Sequence, residues 1–77
     1  MSALHNSLEP RVAGLLERVA TALWSERTHA QCAEDCISIS DLNGLTYHVR
    51  ESWRGNASAR LALKELHQLL RPEAEAA

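Results

Sequence analysis

Residues 36–50 constrain the fold of this chain more than any other stretch. They separate two segments with helical apolar spacing and carry its one strand-like pattern. A three-residue loop at 42–44 gives two strands whose apolar side chains share one face, whereas a loop one residue shorter or longer mixes the faces. Asp41 and Gly44 suit the first and fourth positions of a type I turn followed by a left-handed glycine. The pattern therefore predicts a β-hairpin, whose apolar face would consist of Ile37, Ile39, Leu45, Tyr47 and Val49.

The same residues also allow a helix. Leu42, Leu45, Val49 and Trp53 are spaced by three, four and four residues, which is typical of one helical face, and Ser40 is placed as its N-cap. Gly44 would then lie inside the helix, where glycine is unfavourable. This alternative predicts an all-α bundle of three or four helices in which residues 40–53 are helical.

The N-terminal helix is predicted from a stripe that begins near Ser7, a candidate N-cap, with Pro10 in the first turn. We expect this helix to continue to about residue 34, or to break where Thr28 and Gln31 form a capping box for a second short helix. The residues of the stripe are Leu8, Val12, Leu15, Leu16, Val19 and Leu23.

A second helix is predicted at Ala59–Arg71, after a connector at Glu51–Gly55. Asn56 or Ser58 would cap its start, and Pro72 would stop it. Its apolar face consists of Leu63, Leu66 and Leu70, widened by Leu61 and Leu69.

These elements predict one small α+β domain over residues 1–77, a two-layer helix, β-hairpin, helix fold. Its ordered core would span about 7–71, with flexible tails at 1–6 and 72–77. A chain of 77 residues buries only about 60% of its unfolded surface, so a monomer is expected to be marginally stable. A second copy or another partner would supply further burial.

The net charge of −2 is spread along the chain and favours neither nucleic acid nor an anionic membrane as a partner. No apolar run approaches the roughly 20 residues of a membrane span, and the N-terminus lacks a signal-peptide pattern. The two cysteines are too few for a secreted disulfide framework. We therefore expect a cytoplasmic protein with reduced thiols.

One cluster has the residue types of a zinc site. On a continuous helix His29, Cys32 and Cys36 would lie on one side, with His48 as a fourth ligand. The spacing departs from the usual paired ligands, and the alternative is that both cysteines are buried as small apolar residues. We expect no metal and no cofactor.

A Cys–His pair of His29 and Cys32 would also need an oxyanion donor and an orienting group, and neither is identifiable in the sequence. We therefore expect that the protein is not an enzyme.

Residues 54–66, Arg-Gly-Asn-Ala-Ser-Ala-Arg-Leu-Ala-Leu-Lys-Glu-Leu, resemble the start of the final helix in double-stranded-RNA-binding domains. Those domains run helix, three strands, helix, and the resemblance implies RNA binding. This chain lacks room for the third strand and lacks the paired lysines of that helix start.

The function predicted from these features is a small non-catalytic module that binds another protein as an adaptor, inhibitor or antagonist. We expect it to self-associate as a homodimer or larger homo-oligomer. The candidate contact residues are Trp53, Arg50, Arg54 and His48, since aromatic residues and arginine are enriched at binding hot spots. The alternative is a transcriptional regulator that binds nucleic-acid phosphates through Arg50, Arg54, Arg60 and Lys64.

Overall fold

A computed structural model describes residues 9–71 of the chain. These residues form two antiparallel α-helices, α1 at Pro10–Ser38 and α2 at Leu42–Leu70. Each helix has 29 residues and is about 43 Å long. No strand occurs between residues 9 and 71, so the α+β prediction is wrong. The all-α alternative has the right class, but the structure is a hairpin of two long helices rather than a bundle of three or four.

α1 is longer and more continuous than predicted. Its N-cap is Glu9, followed by Pro10 at the first helical position, where a missing N–H costs nothing. The helix passes through the capping-box residues 28–31 without a break and ends at Ser38 rather than near 34. The predicted N-cap Ser7 and the predicted flexible tails lie outside the described residues.

The turn at residues 39–41 ends α1 with a Schellman arrangement. The Asp41 N–H donates to the Cys36 carbonyl at 2.9 Å, and the Ser40 N–H donates to the Ile37 carbonyl at 3.1 Å. Ser40 adopts the left-handed conformation that this motif requires, with φ of 57°. The left-handed residue of this segment is therefore Ser40 and not Gly44.

Asp41 also begins α2, which explains why the hairpin prediction fails. Its carboxylate accepts a hydrogen bond from the Gly44 N–H at 2.9 Å, so it is the N-cap in place of the expected Ser40. Asp followed three residues later by Gly suits both a type I turn and a helix start. The helix satisfies its backbone groups internally, whereas an isolated two-stranded sheet is only marginally stable.

α2 runs without interruption through the predicted connector. Glu51–Gly55 is helical, and Asn56 and Ser58 lie inside the helix rather than at a cap. The helix ends at Leu70, where the Arg71 N–H donates to the His67 carbonyl at 3.0 Å. The predicted stop at Pro72 is confirmed to within one residue.

The two helices meet along a seam whose residues recur at alternating intervals of three and four. This period of 3.5 is typical of left-handed helix pairs. Every seam residue is buried or half-buried. On α1 the seam consists of Val12, Leu15, Val19, Ala22, Glu26, His29, Ala33 and Cys36, and on α2 of Leu45, His48, Ser52, Gly55, Ala59, Ala62, Leu66 and Leu69.

The centre of the seam brings the two backbones close together. A β-carbon on Gly55 would lie 3.0 Å from the Ala22 carbonyl oxygen and 3.0 Å from the Glu26 nitrogen, so only glycine fits without a shift. The most buried apolar residues are mainly small, and they are Val12, Ala22, Ala33, Cys36, Ala59, Ala62 and Leu66. The hairpin alone therefore has a thin hydrophobic core.

Candidate functional site

A second apolar stripe lies beside the seam on each helix. On each helix the residues of this stripe recur every seven positions. They lie four positions after seam residues such as Val12 and Leu45, and Leu42 continues the series toward the turn. Four positions place the stripe about 40° around the helix from those seam residues. We call the two stripes together the apolar face. Its residues are Leu16, Leu23, Ala30 and Ile37 on α1, and Leu42, Val49, Asn56, Leu63 and Leu70 on α2.

Both stripes lie on the same side of the hairpin. In an antiparallel pair, equivalent offsets from the seam fall on the same side of the plane that contains both helix axes. The opposite offsets fall on the other side, where Arg18 of α1 and Glu65 of α2 form an ion pair at 3.6 Å. That contact fixes which side is polar, and it leaves the apolar face on the other side.

The large side chains of the apolar face are exposed to solvent. Their exposed fractions range from 43% to 73%, and they are Leu23, Ile37, Leu42, Val49, Leu63 and Leu70. A monomer rarely leaves a contiguous apolar surface of this kind uncovered unless the surface binds something.

The opposite side, the polar face, differs in composition. It carries a cleft of about 540 Å³ that is open to solvent and lined by charged and small residues from both helices. Among them are Glu17, Arg18, Glu51 and Arg54. The hairpin is therefore amphipathic as a whole, with one apolar side and one polar side.

Trp53 and Arg50, two of the predicted contact residues, lie at the α2 edge of the apolar face. Trp53 is exposed and lines a groove of about 380 Å³ together with Val49 and Arg50. A large amphipathic side chain beside an uncovered apolar stripe is well placed to contact a partner.

The other two predicted contact residues lie elsewhere. Arg54 is on the polar side, where its guanidinium donates to the Glu51 carboxylate at 2.9 Å. His48 is a seam residue and faces α1. The structure therefore does not bring the four predicted contact residues together on one surface.

The residues of the nucleic-acid alternative also belong to α2. Arg50, Arg60 and Lys64 are exposed on the edge of α2 that faces away from α1. Within residues 42–70 this edge carries no acidic side chain. Arg54 lies further around the helix and is paired with Glu51.

The half of the seam nearer the turn is polar. The Nδ1 atoms of His29 and His48 are 2.8 Å apart, so one ring must donate and the other must accept. The Ser52 hydroxyl donates to the Glu26 carbonyl at 3.1 Å, and the Asn56 amide donates to the Glu26 carboxylate at 3.4 Å. These hydrogen bonds cross between the helices and align them.

The four residues considered as zinc ligands are only partly brought together. His29 and His48 meet, but Cys36 is buried against Asp41, with the thiol 3.9 Å from its carboxylate. Among residues 9–71 no three side chains of the metal-binding types converge on one point. The donors in this part of the chain therefore do not make a tetrahedral site.

Cys36 is also poorly suited to nucleophilic chemistry. Burial raises the pKa of its thiol above the ordinary value of 9.0, and the negative charge of Asp41 raises it further. His29 contacts His48. A catalytic pairing of His29 with Cys32, considered from the sequence, would thus have to compete with an existing hydrogen bond.

Sequence reasoning misplaced the aromatic core residue and missed the apolar face. Tyr47, expected in the core, is exposed, and its ring lies 5.0 Å from the ring of His48. The useful signal was the 3-4 spacing of Gly55, Ala59 and Ala62, which marks a close helix contact and assigns neighbouring large residues to the outside.

Neither helix of the described chain has a stretch long and apolar enough to cross a membrane. Comparison of the chain with protein-family models, curated proteins and solved structures finds no match.

Proposed function

We propose that this chain is a small non-catalytic protein-binding module of the adaptor, inhibitor or antagonist type, which acts through its apolar face. One observation carries the proposal. The large apolar side chains of both helices lie uncovered on one side, while the seam contains mainly small and polar residues. Binding to another helical surface would remove this apolar surface from water.

The chemistry of the described residues supports a role without catalysis. The cleft of the polar face is open to solvent, and two of its charged residues, Glu51 and Arg54, are paired with each other. The buried thiol of Cys36 is held in its protonated form by its surroundings. We place the protein in the cytoplasm, where its two unbonded cysteines would remain reduced.

Two leucines of α2 provide a matched test of this function. Leu61 and Leu63 are both exposed, but two residues of helix separate their directions by about 200°. Leu63 belongs to the apolar face and Leu61 does not. Tagged wild type, Leu63→Asp and Leu61→Asp should be used for affinity capture from the native host, with quantification of every bound protein.

We expect a set of proteins that wild type and Leu61→Asp retain and Leu63→Asp loses, because only the latter puts a charge on the apolar face. Circular dichroism must show equal helix content in the three variants. Identical capture by all three would contradict a binding role for this face.

A second candidate function is nucleic-acid binding through the outer edge of α2. It is supported by Arg50, Arg60 and Lys64 on an edge without acidic side chains, and it is opposed by the net charge of −2. Binding through these residues should weaken steeply as salt is added. Mobility shifts with mixed DNA and RNA at low ionic strength, compared between wild type and Arg60→Glu/Lys64→Glu, test it. An absence of any shift for wild type would reject it.

A further inference from the structure

We infer that the apolar face binds the same face of a second copy of this chain, so that two hairpins form a four-helix bundle. The inference rests on the proposed function and names its partner. Each copy would set α1 against α2 of the other, with both turns at the same end of the bundle. The area of the face, the charges at its edges and the order of its side chains support this arrangement.

The area is sufficient for a stable dimer. Two helices about 43 Å long, packed about 8–10 Å apart, present a side of on the order of 800 Å² in projection. A standard interface buries about 800 Å² on each partner. The apolar face is therefore about as large as a specific interface requires, and it extends along the full length of both helices.

The charges at the two edges of the face differ. The outer edge of α2 carries Arg50, Arg60 and Lys64, and within residues 42–70 it carries no acid. The outer edge of α1 carries the acids Glu17 and Glu34 together with Arg27. Packing α2 against α2 would bring only basic side chains together, whereas packing α1 against α2 places two acids near the basic edge.

The contacts within one hairpin show which residues of α1 and α2 lie at the same height. Gly55 lies against Ala22, and His48 lies against His29, so the numbers of residues at one height add up to about 77. A twofold axis parallel to the helices preserves these heights in the partner. Glu17 then falls level with the partner's Arg60 and close to the partner's Lys64, while Arg27 falls level with the partner's Arg50. Two basic residues of α2 thus gain an acidic neighbour, and one faces a like charge at the rim.

The same heights match the side chains of the two apolar faces. Three levels pair apolar residues from both copies: Leu16 with the partner's Leu63, Ala30 with the partner's Val49, and Ile37 with the partner's Leu42. At the fourth level Leu23 meets the partner's Asn56. The Asn56 amide already donates one N–H to Glu26 within its own chain, so covering it leaves that N–H paired.

Sedimentation equilibrium of the purified full chain, over micromolar to millimolar concentrations, tests the inference. Wild type should have twice the chain mass of 8.5 kDa. Leu63→Asp should weaken the dimer by about a hundredfold or more, because a charge replaces a buried leucine twice in each dimer. Leu61→Asp should leave the dimer unchanged.

A wild type that stays monomeric at every concentration would overturn the inference, as would a dimer that Leu63→Asp does not weaken. These results are separable from the proposed function. If wild type is a monomer and its capture of host proteins still depends on Leu63, a second copy is rejected as the partner. The proposed role as a protein-binding module is then kept. A dimer that Leu63→Asp dissociates, with capture of other host proteins insensitive to Leu63→Asp, would instead support the second copy as partner and contradict binding of other proteins through this face.

The arrangement of the two copies is tested by a spin label at one position near the turn. Asn43→Cys is made in a Cys32→Ser/Cys36→Ala background, and the distance between labels in the dimer is measured by pulsed electron resonance. Turns at the same end predict a distance of roughly 20–30 Å, set by the width of the bundle, while turns at opposite ends predict more than about 40 Å. The longer distance would overturn the packing of α1 against α2.

Discussion

The seam between the helices and the apolar face beside it use different side chains for different purposes. At the seam the buried positions are filled largely by alanine and glycine, and the half nearer the turn is bonded through His29, His48 and Glu26. On the apolar face the large side chains are leucine, isoleucine and valine, and six of them are exposed. The hairpin thus forms by close backbone approach and directed hydrogen bonds, while most of its large apolar groups remain available to another molecule.

The free energy gained by burying one side chain therefore differs between the seam and the apolar face. Burying one methyl group contributes about 0.8 kcal/mol, and burying a whole leucine or valine side chain about 1.5–3 kcal/mol. The alanines of the seam therefore stabilise a lone hairpin only modestly. Covering the apolar face would bury six further large side chains, which agrees with a fold completed by association.

The largest effect is expected from a charge placed inside the seam rather than beside it. Ala62 is 1% exposed, and its neighbour Leu61 is exposed. Ala62→Asp should cost about 3–5 kcal/mol, which is most of the stability of a small domain, because the carboxylate would be buried without a partner. Far-UV circular dichroism should show loss of helix for Ala62→Asp and none for Leu61→Asp. A fully helical Ala62→Asp would mean that the seam is not the core.

Substituting the two mid-helix glycines by alanine distinguishes the effect of close packing on stability from the effect of helix propensity. Gly55→Ala places a methyl group against backbone atoms of α1, while at Gly14 an added methyl group meets nothing within 4 Å. Gly14→Ala should stabilise by about 0.5–1 kcal/mol through helix propensity. Gly55→Ala should instead destabilise by about 1 kcal/mol, because overpacking outweighs that gain. The thermal unfolding temperature should rise for Gly14→Ala and fall for Gly55→Ala. A shift in the same direction for both variants would contradict the close approach of the two backbones.

Part of this fold could be predicted from the sequence. The apolar stripe from Val12 to Leu23 predicted most of α1, and Pro72 predicted the end of α2. The segment at 36–50 could not be assigned from local patterns. Its alternating Ile, Tyr and Val residues suit a strand, and Asp41 with Gly44 suits both a turn and an N-cap.

The conformation of residues 36–50 is decided by the surface of α1 that lies across the seam. The helical form continues the 3-4 spacing of α2 through Leu45 and His48 to Ser52 and Gly55, so that α2 packs along all of α1. Polar and small seam residues hide this spacing from an analysis based on apolar stripes. For the same reason the sequence predicts a contact site at Trp53 and the arginines. The apolar face can be assigned only when the seam residues are known.

The histidine pair gives the seam a directed hydrogen bond that the outside of the hairpin lacks. The Nδ1 atoms of His29 and His48 lie 2.8 Å apart across the seam. Replacing one ring by alanine leaves the other, half-buried ring without this partner. His48→Ala should therefore lower the free energy of unfolding by about 1 kcal/mol.

The control for this loss is an exposed histidine outside the seam. His67→Ala, near the exposed end of α2, should leave the free energy of unfolding nearly unchanged. Urea unfolding measures wild type and both variants, and an equal stability of His48→Ala and His67→Ala would show that the histidine pair does not stabilise the seam.

The smallest effect is expected for the reactivity of the two thiols. Their alkylation rates show which cysteine is enclosed by the seam, and measuring these rates does not require a change of fold. Cys36 is buried and Cys32 is half-buried one turn earlier. Burial and the charge of Asp41 raise the pKa of Cys36, which lowers its thiolate fraction at any pH below that value. Alkylation by iodoacetamide in the Cys32→Ser protein, where Cys36 remains, should be at least about tenfold slower than in Cys36→Ala, where Cys32 remains.

The sign of the linked stability effect follows from the same shift. Because the pKa of Cys36 is raised in the folded state, its contribution to stability is complete below the unfolded value of 9.0 and is lost as the pH rises through the folded value. Asp41→Asn keeps an N-cap and removes the charge, so Cys36 should react faster in that variant. Equal alkylation of both cysteines in the native protein, as is expected in urea, would show that Cys36 does not belong to a closed seam.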